Sequence, residues 1–226
     1  MTTLYRLDLH VHSQYSPDSS LDLGRIMDYL GTAGLQGFAL TDHNTVAGHG
    51  TLRTLQERYP RCWFIPGVEV SAREGHVLVY GVSEAPRRNL SVEEVAEWAE
   101  ARGGVTALAH PFRWMHGAGR RVAERARVRC VEGRNGRSSA VANGRAELIA
   151  ARRGLGTVGG SDAHEPTSVG RSFTEFSSEV DSVDGILDAL RRGACAGGGR
   201  SLAPWGRVLL ALRTSALRAG RGFRPV

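Results

Sequence analysis

Short β-rich runs alternate with helix-like segments along most of the chain, and this alternation restricts the fold more than any other feature. Strands are predicted at residues 5–11, 37–41, 63–70, 76–82, 105–109, 129–132, 157–160 and 172–176. Helices are predicted at residues 22–32, 46–58, 92–102, 141–153 and 182–192. Strands that alternate with helices are typical of βα units around a largely parallel sheet. The sequence therefore predicts an α/β domain.

The charge of the chain changes abruptly near its C-terminal end. All 29 basic residues are arginine, and residues 191–226 carry eight of them with no acidic residue. We predict two parts: a domain over residues 1–193 and a Gly/Arg-rich basic tail over residues 194–226. The tail contains a glycine triplet at 197–199, predicted as a flexible break, and a short basic amphipathic helix at 208–217. Such a tail either contacts nucleic acid or an anionic surface, or is simply a solvated end of the chain. The composition favours the solvated end.

The rest of the composition is that of an ordinary globular protein. No stretch approaches the roughly 18 apolar residues that a membrane helix needs, and the first eight residues lack the pattern of a secretion signal. The cysteines, Cys62, Cys130 and Cys195, are odd in number and widely spaced, which is typical of free thiols in a reducing compartment. We therefore expect a cytoplasmic protein. Residues 113–129, with six arginines, are predicted as a loop.

Histidine and carboxylate residues follow the predicted strands in polar clusters. The clusters are His10-Val11-His12, Thr41-Asp42-His43, Gly67-Val68-Glu69, His76, Ala109-His110-Pro111 and Ser161-Asp162-Ala163-His164. In an extended segment, residues two apart lie on the same face, so His10 and His12 point the same way. In parallel α/β barrels, functional residues collect at the carboxyl ends of the strands. Imidazole and carboxylate donors suit Zn, Mn or Fe(II), which predicts a metal site.

These clusters resemble the successive motifs of the PHP (polymerase and histidinol phosphatase) family, in particular its small stand-alone bacterial metal-dependent phosphoesterases. The similarity runs from about residue 7 to residue 192. The resemblance implies a distorted TIM-like (β/α)7 barrel, phosphoesterase chemistry and a site for two to three divalent ions (Mn, Fe or Zn). The ligands that it implies are His10, His12, Asp18, His43, Glu69, His76, His110, Asp162 and His164.

Several other residues are candidates for catalytic or supporting roles. Arg113 is the first candidate for a phosphate clamp because guanidinium binds phosphate through two parallel hydrogen bonds. Arg171 and Arg134 are weaker versions of the same hypothesis. Asp42 either orients a ligand imidazole or is a turn residue. For a proton donor to the leaving group the sequence offers His43 or His164, whereas Asp8 is predicted to be a structural hydrogen-bond acceptor, and His49 and His116 to be ordinary polar residues.

The resulting hypothesis is a phosphoesterase that hydrolyses its substrate through a metal-bound hydroxide. Three carboxylates facing up to three divalent ions leave a positive surplus that suits a phosphorylated substrate. That substrate is a nucleotide, an oligonucleotide end or a small phosphorylated metabolite. The alternatives are a histidinol-phosphate-type phosphatase and a non-catalytic module that binds metal or nucleic acid.

Overall fold

The computed structural model describes residues 4–177 and 180–203. The nine strands are β1 (Leu4–Val11), β2 (Gly37–Leu40), β3 (Trp63–Ala72), β4 (Gly75–Tyr80), β5 (Val105–Leu108), β6 (Cys130–Asn135), β7 (Gly156–Gly160), β8 (Ser172–Ser177) and β9 (Ala196–Gly199). The helices are α1 (Leu23–Ala33), α2 (His49–Arg58), α3 (Val92–Glu100), α4 (Gly119–Ala123), α5 (Ala140–Arg153) and α6 (Val183–Arg191), with a 3₁₀ turn at Pro166–Ser168.

All nine strands belong to a single curved sheet in the order β7-β6-β5-β4-β3-β2-β1-β8-β9. The pairs β1/β2, β2/β3, β5/β6 and β6/β7 are parallel, whereas β4, β8 and β9 pair antiparallel with their neighbours. The sheet curls until β7 meets β1, so the predicted TIM-like barrel is confirmed. The antiparallel hairpin β3/β4 departs from a regular series of βα units.

The barrel closes along a contact between β7 and β1 that depends on glycine. The amide of Asp162 donates to the carbonyl of His10 at 2.7 Å, and the amide of His12 donates to the carbonyl of Ala163 at 2.9 Å. A Cβ atom on Gly160 would lie 2.3 Å from the Cβ of His10. Only a residue without a side chain allows this close approach, which brings the end of β7 beside the end of β1.

The core fills the barrel and the space between its wall and the surrounding helices. One buried cluster combines strand residues such as Leu9, Ile65 and Tyr80 with Ile186 and Leu190 of α6. The Tyr80 hydroxyl donates to the carbonyl of Leu9 at 3.1 Å. Because β4 and β1 are not neighbours in the sheet, this bond crosses the barrel interior.

The helix boundaries follow from local capping. Before α3, the side chain of Ser91 accepts from the amide of Glu94 while the Glu94 carboxylate accepts from the amide of Ser91, the reciprocal pair that its S-x-x-E sequence predicts. Asp22 caps α1, and the left-handed Gly34 ends it. No helix in the described part of the chain has the length and apolar character needed to cross a membrane.

Two sequence predictions need correction. The glycine triplet at 197–199 is not a break: with Ala196 it forms β9, which pairs antiparallel with β8, and the amide of Gly197 donates to the Thr157 hydroxyl of β7 at 3.1 Å. The small residues let β9 pack closely against its neighbours. The loop predicted at 113–129 contains the short helix α4. The helix predicted at 208–217 lies outside the described residues.

Candidate metal centre

The nine candidate ligands converge at one end of the barrel. His10, His12, His43, His110, Asp162 and His164 lie at or just after the carboxyl ends of their strands, and Glu69 lies within β3. His76 is near the start of β4, but the antiparallel hairpin pairs it with Ser71 at the same end of the sheet. Asp18 comes from the loop after β1. Eight of the nine are buried, and Asp18 is half-buried.

Glu69 lies at the centre of the cluster and contacts five imidazole rings. Its Oε2 atom lies 3.1 Å from Nε2 of both His10 and His12, and 3.3 Å from Nδ1 of His43. Its Oε1 atom lies 2.8 Å from Nδ1 of His76 and 3.0 Å from Nε2 of His110. This carboxylate therefore has both oxygens directed at ligand nitrogens from different strands.

Asp18 and His164 form a second part of the cluster. Asp18 Oδ2 lies 2.9 Å from Nε2 of His164 and 3.6 Å from Nε2 of His43. The ring of His12 is next to both of these imidazoles, with centroids 4.3 Å from that of His164 and 4.6 Å from that of His43. The loop after β1 thus contributes a carboxylate to a group of rings from three strands.

Asp162 completes the cluster and is flanked by two arginines. Its carboxylate accepts a short hydrogen bond from Arg113, and its Oδ1 lies 3.6 Å from the guanidinium of Arg137. Oδ1 also lies 3.6 Å from Nε2 of His12 and 3.9 Å from Nε2 of His10. Two positive side chains therefore meet the cluster on its Asp162 side.

Divalent metal ions fit these residues. Ligand atoms lie within 4.8 Å of one another in four sets: His12, Asp18, His43 and His164; His10, His110 and Asp162; His10, His12 and Glu69; and His43, Glu69 and His76. Within the described residues, Nδ1 of His110 is buried without a hydrogen-bond partner, and Nδ1 of His43 forms no hydrogen bond although it lies 3.3 Å from Oε2 of Glu69. Buried polar atoms are rarely left unpaired, and nitrogen and carboxylate donors are the ligands of first-row divalent metals.

The pKa shifts of Glu69, Asp162 and His164 also suit a bound cation. Burial opposes ionisation of Glu69, but the imidazoles of His10, His43 and His76 outweigh it and hold the pKa of Glu69 well below its usual range. Asp162 behaves alike: burial raises its pKa, yet Arg113 and His10 bring it well below the usual range. Burial, with Arg137 nearby, lowers the pKa of His164 to about 4. At neutral pH the cluster therefore offers ionised carboxylates and an uncharged His164 ring.

The backbone is strained at three positions that are candidate ligands or directly follow one. Asn44, His110 and Asp162 have φ angles of 53°, 24° and 56°. Residues other than glycine seldom adopt positive φ, and such strain is concentrated at functional sites. His110 and Asp162 are candidate ligands, and Asn44 directly follows the candidate ligand His43.

Glu132 and Asn135, which the sequence analysis did not identify, form hydrogen bonds with candidate ligands. Glu132 accepts from Nδ1 of His10 at 2.9 Å and from the amide of His110 at 2.7 Å. Asn135 donates to Glu132 and to Asp162, each at 3.1 Å. Glu132 lies within the strand predicted at 129–132, and β6 extends beyond that predicted end to include Asn135. Neither residue belongs to the polar clusters that the sequence singled out.

Arg137 and His116 were also missed. The guanidinium of Arg137 lies 2.7 Å from Nδ1 of His164. The ring of His116 stacks on that of His76 with centroids 5.0 Å apart, and burial lowers its pKa to about 4. Neither residue belongs to a recognisable short motif, so only the folded chain shows that they adjoin the cluster.

Among the phosphate-clamp candidates, only Arg113 is brought to the cluster. Besides Asp162, its guanidinium contacts Nε2 of His110 at 2.9 Å. The side chain of Arg171 is exposed, and the contacts described for this residue are backbone hydrogen bonds. Arg134 pairs with Glu147 on the surface. The structure therefore gives no support to Arg171 or Arg134 as a clamp.

Three further predictions concern residues beside the cluster. Asp42 accepts from the amide and hydroxyl of Ser13 at 2.6 and 2.7 Å, so it fixes the loop after β1 rather than an imidazole. Asp8 accepts from the amides of Ser161 and Gly170 at 2.8 and 2.9 Å, the structural role predicted for it, and burial raises its pKa to about 6. His49 lies outside the cluster, with Nε2 2.9 Å from the carbonyl of Gly67.

A cavity of about 550 Å³ opens next to the cluster. His76, one of the candidate ligands, and His116 form part of its wall. Its other walls are polar: Asn44, Arg73, Glu74, Arg88 and Asn89 are among the lining residues. A molecule that reaches the cluster therefore has space beside it.

A TIM-like barrel with buried histidine and carboxylate ligands at the carboxyl ends of its strands defines the class of metal-dependent hydrolase barrels. Comparison with known families specifies it further. The model described as "PHP domain" matches residues 8–105, and the model described as "PHP-associated" matches residues 141–195. The chain belongs to the PHP family of metal-dependent phosphoesterases, as its motifs predicted.

Individual relatives cover parts of the chain. An uncharacterized protein of Methanocaldococcus jannaschii is 28% identical over 117 residues, which are 47% of this chain and 68% of the relative. The phosphoribosyl 1,2-cyclic phosphate 1,2-diphosphodiesterase of Eggerthella lenta is 37% identical over 83 residues, 34% of this chain and 31% of that enzyme. A crystal structure of a two-domain protein of Bacteroides vulgatus, containing a predicted PHP-like metal-dependent phosphoesterase, has a TM-score of 0.73 and 20% identity, covering 88% of this chain and 66% of that one. The chain thus spans only part of these proteins.

Proposed function

We propose that this protein hydrolyses a phosphate ester of a nucleotide, an oligonucleotide end or a small phosphorylated metabolite, with divalent metal ions as cofactors. The observation that carries the proposal is the meeting of nine metal-ligand side chains with two arginines at Asp162. Metal ligands alone suit many reactions, but guanidinium groups beside them are typical of sites for phosphate.

Two to three ions (Mn, Fe or Zn) would be held by the nine ligands. His12, Asp18, His43 and His164 suit one position, His10, His110 and Asp162 a second, and Glu69 with His76 a third shared with neighbouring rings. When bound, such ions activate water as a nucleophile and act as Lewis acids toward phosphate oxygens. The three ligand carboxylates neutralise only part of the charge of the ions, which leaves a site that attracts a phosphate dianion.

The chain itself would position the substrate. Arg113 and Arg137 approach Asp162 from the loops after β5 and β6, so a phosphate beside Asp162 lies within reach of two guanidinium groups. Arg113 is anchored by a hydrogen bond from Nε to the carbonyl of Met115 at 3.3 Å, which limits its freedom to turn away. Such preorganised charges stabilise the charge that develops in phosphoryl transfer. The remainder of the substrate would occupy the cavity beside His76.

The relatives support this proposal without naming the substrate. The Eggerthella lenta enzyme is by name a diphosphodiesterase of a cyclic sugar phosphate, so a phosphodiester of a small metabolite is one candidate. All nine ligand positions carry a metal-binding residue, which disfavours the alternative of a non-catalytic module. A role of the basic tail in holding nucleic acid stays a prediction on residues beyond 203.

The test is hydrolysis of a substrate panel by the metal-loaded protein. The panel holds phosphomonoesters and phosphodiesters, including nucleotides, short RNA and histidinol phosphate. His10→Ala and Asp162→Asn should abolish turnover, whereas His49→Ala, which removes a histidine outside the cluster, should retain it. Turnover of no phosphate ester by metal-loaded wild-type protein, or equal turnover in all four proteins, would contradict the proposal.

A further inference from the structure

An exposed aromatic residue stands at the mouth of the candidate metal centre. Trp114 has 91% of its surface exposed, and its neighbour Met115 has 57% exposed. Trp114 is the most exposed of the large apolar residues in the described part of the chain, and tryptophan is enriched among the residues that dominate binding interfaces. The tip of the loop after β5 is defined here as Trp114 and Met115, and the question is what the indole at this tip binds.

The loop presents this tip next to the cluster and holds it there. Arg113, directly before Trp114, contacts Asp162 and His110. His116, directly after Met115, stacks on the ring of His76. Both ends of the tip are thus tied to candidate metal ligands. Since adjacent Cα atoms are about 3.8 Å apart, the indole begins one residue away from the proposed phosphate clamp.

Backbone contacts make the loop compact. The amide of Arg113 donates to the carbonyl of His110 at 3.0 Å, and the amide of Gly119 donates to the carbonyl of Pro111 at 2.9 Å. A Cβ atom on Gly117 would lie 2.4 Å from the carbonyl oxygen of Arg113, so the chain doubles back closely at this glycine. The exposed indole is therefore carried on a constrained turn, and binding to it would require little further ordering.

The charge of the segment that carries the tip indicates the kind of ligand. Residues 113–129 contain six arginines and one acidic residue, Glu124, and Arg121 and Arg125 are exposed. The cavity beside the cluster has Arg73 and Arg88 in its walls together with Glu74. An apolar ring in a cationic setting suits a ligand that is both flat and anionic. A nucleobase attached to a phosphate has both properties, and aromatic side chains among basic residues are the usual means of binding it.

We infer that Trp114 is a specificity-determining residue that stacks on the nucleobase of a phosphorylated substrate whose phosphate reaches Arg113. This inference rests on the proposed function and narrows its substrate class to phosphate esters that carry a base. The indole contacts the part of the substrate that does not react. Its loss therefore weakens selection of the substrate without removing the chemistry.

The experiment compares two substrates that differ only in the base. Adenosine 5′-monophosphate and ribose 5-phosphate share the phosphate and the sugar, so the ratio of their kcat/KM values isolates the base. Trp114→Leu should reduce this ratio roughly 5- to 150-fold, the range that base–aromatic stacking supports. Trp114→Phe keeps an aromatic ring and should stay near wild type. Met115→Ala, an exposed change in the same loop, is the matched control.

Calorimetry of adenosine 5′-monophosphate binding to the metal-loaded proteins tests the inference independently of turnover. The inference is supported if Trp114→Leu binds the nucleotide more weakly while Trp114→Phe and Met115→Ala bind it like wild type. This holds even if wild-type protein hydrolyses neither compound, since the absence of hydrolysis would weaken only the proposed function. No measurable binding to wild-type protein, equal binding in all variants, or an equal loss in Met115→Ala overturns the inference. The tip would then be assigned to contact with another protein.

Discussion

Nδ1 of His10 lies 2.9 Å from Oε1 of Glu132, and both side chains are fully buried. Through this contact the carboxylate fixes the orientation of the ring, so that Nε2 faces Glu69 and His12. The pKa of His10 reflects the same surroundings: burial lowers it, but Glu69 and Glu132 outweigh burial and raise it well above its usual value. Carboxylates in this position behind a ligand histidine commonly set its tautomer and its basicity.

Replacement of Glu132 should weaken metal binding without removing a ligand. We expect Glu132→Gln to lower the affinity for divalent ions roughly 10- to 100-fold, the usual effect of losing such a supporting carboxylate. Competition with a metal chelator measures the affinity. Glu147→Gln is the control because Glu147 pairs with Arg134 on the surface. Equal affinities for the two variants would refute this role of Glu132.

Arg113 should matter for the substrate and not for the metals. A charge-assisted hydrogen bond is worth about 1.5–3 kcal/mol, so Arg113→Ala should lower kcat/KM for the phosphate ester roughly 10- to 150-fold. Metal content should be unchanged, as elemental analysis would show. Arg134→Ala removes an arginine outside the cluster and should have little effect on kcat/KM. If both variants behave alike, Arg113 is not a clamp.

Metal removal should destabilise the folded protein. A ligand that binds only the folded state stabilises it by about 2.7 kcal/mol when its concentration is 100 times its Kd. Treatment with a chelator should therefore lower the thermal midpoint, and added Mn²⁺ or Zn²⁺ should restore it. Thermal unfolding of wild-type protein and of His10→Ala tests this, because the midpoint of the variant should respond much less. Equal responses would place the metal binding elsewhere.

The glycine at the closure of the barrel offers a test of the fold. Gly160→Ala would place a Cβ atom 2.3 Å from that of His10, and we expect it to lower the free energy of unfolding by about 1–3 kcal/mol, as overpacking commonly does. Gly144, within α5, has no atom within 4 Å of such a Cβ. Gly144→Ala should therefore stabilise the protein by about 0.4–1 kcal/mol. Chemical denaturation measures both, and a Gly160→Ala variant as stable as wild type would contradict the close contact.

Local patterns predicted an α/β domain, and the resemblance of the motifs to the PHP family implied the barrel, which is confirmed; the role of the nine residues as metal ligands stays a prediction. His10 and His12 lie two residues apart on one face of β1, and His43, His110, Asp162 and His164 follow strand ends, so the topology brings these six together. The antiparallel hairpin of β3 and β4 was harder to predict from the sequence, because its pairing depends on strand register rather than on periodicity. Even so, it is this pairing that places His76 beside Glu69.

The supporting residues could not be predicted for a different physical reason. Glu132 and Arg137 act through contacts with residues far away in the chain, and nothing in their own neighbourhood marks them. Arginine is so abundant in this chain that the sequence analysis named Arg171 as a candidate and not Arg137, whereas burial and distance favour Arg137. The glycine triplet at 197–199 was predicted to be a flexible break because glycine has a flexible backbone. The property that matters in the structure is the small size of these residues, which lets β9 pair with β8.

The account depends most on the metal centre, and elemental analysis of protein purified without chelator tests it most directly. Wild-type protein should hold two to three divalent ions per chain. A Glu69→Gln variant should hold at least one fewer, because Glu69 contacts five of the ligand imidazoles. Folded wild-type protein that holds less than one ion per chain, even after incubation with Mn²⁺, Fe²⁺ or Zn²⁺, would contradict the account.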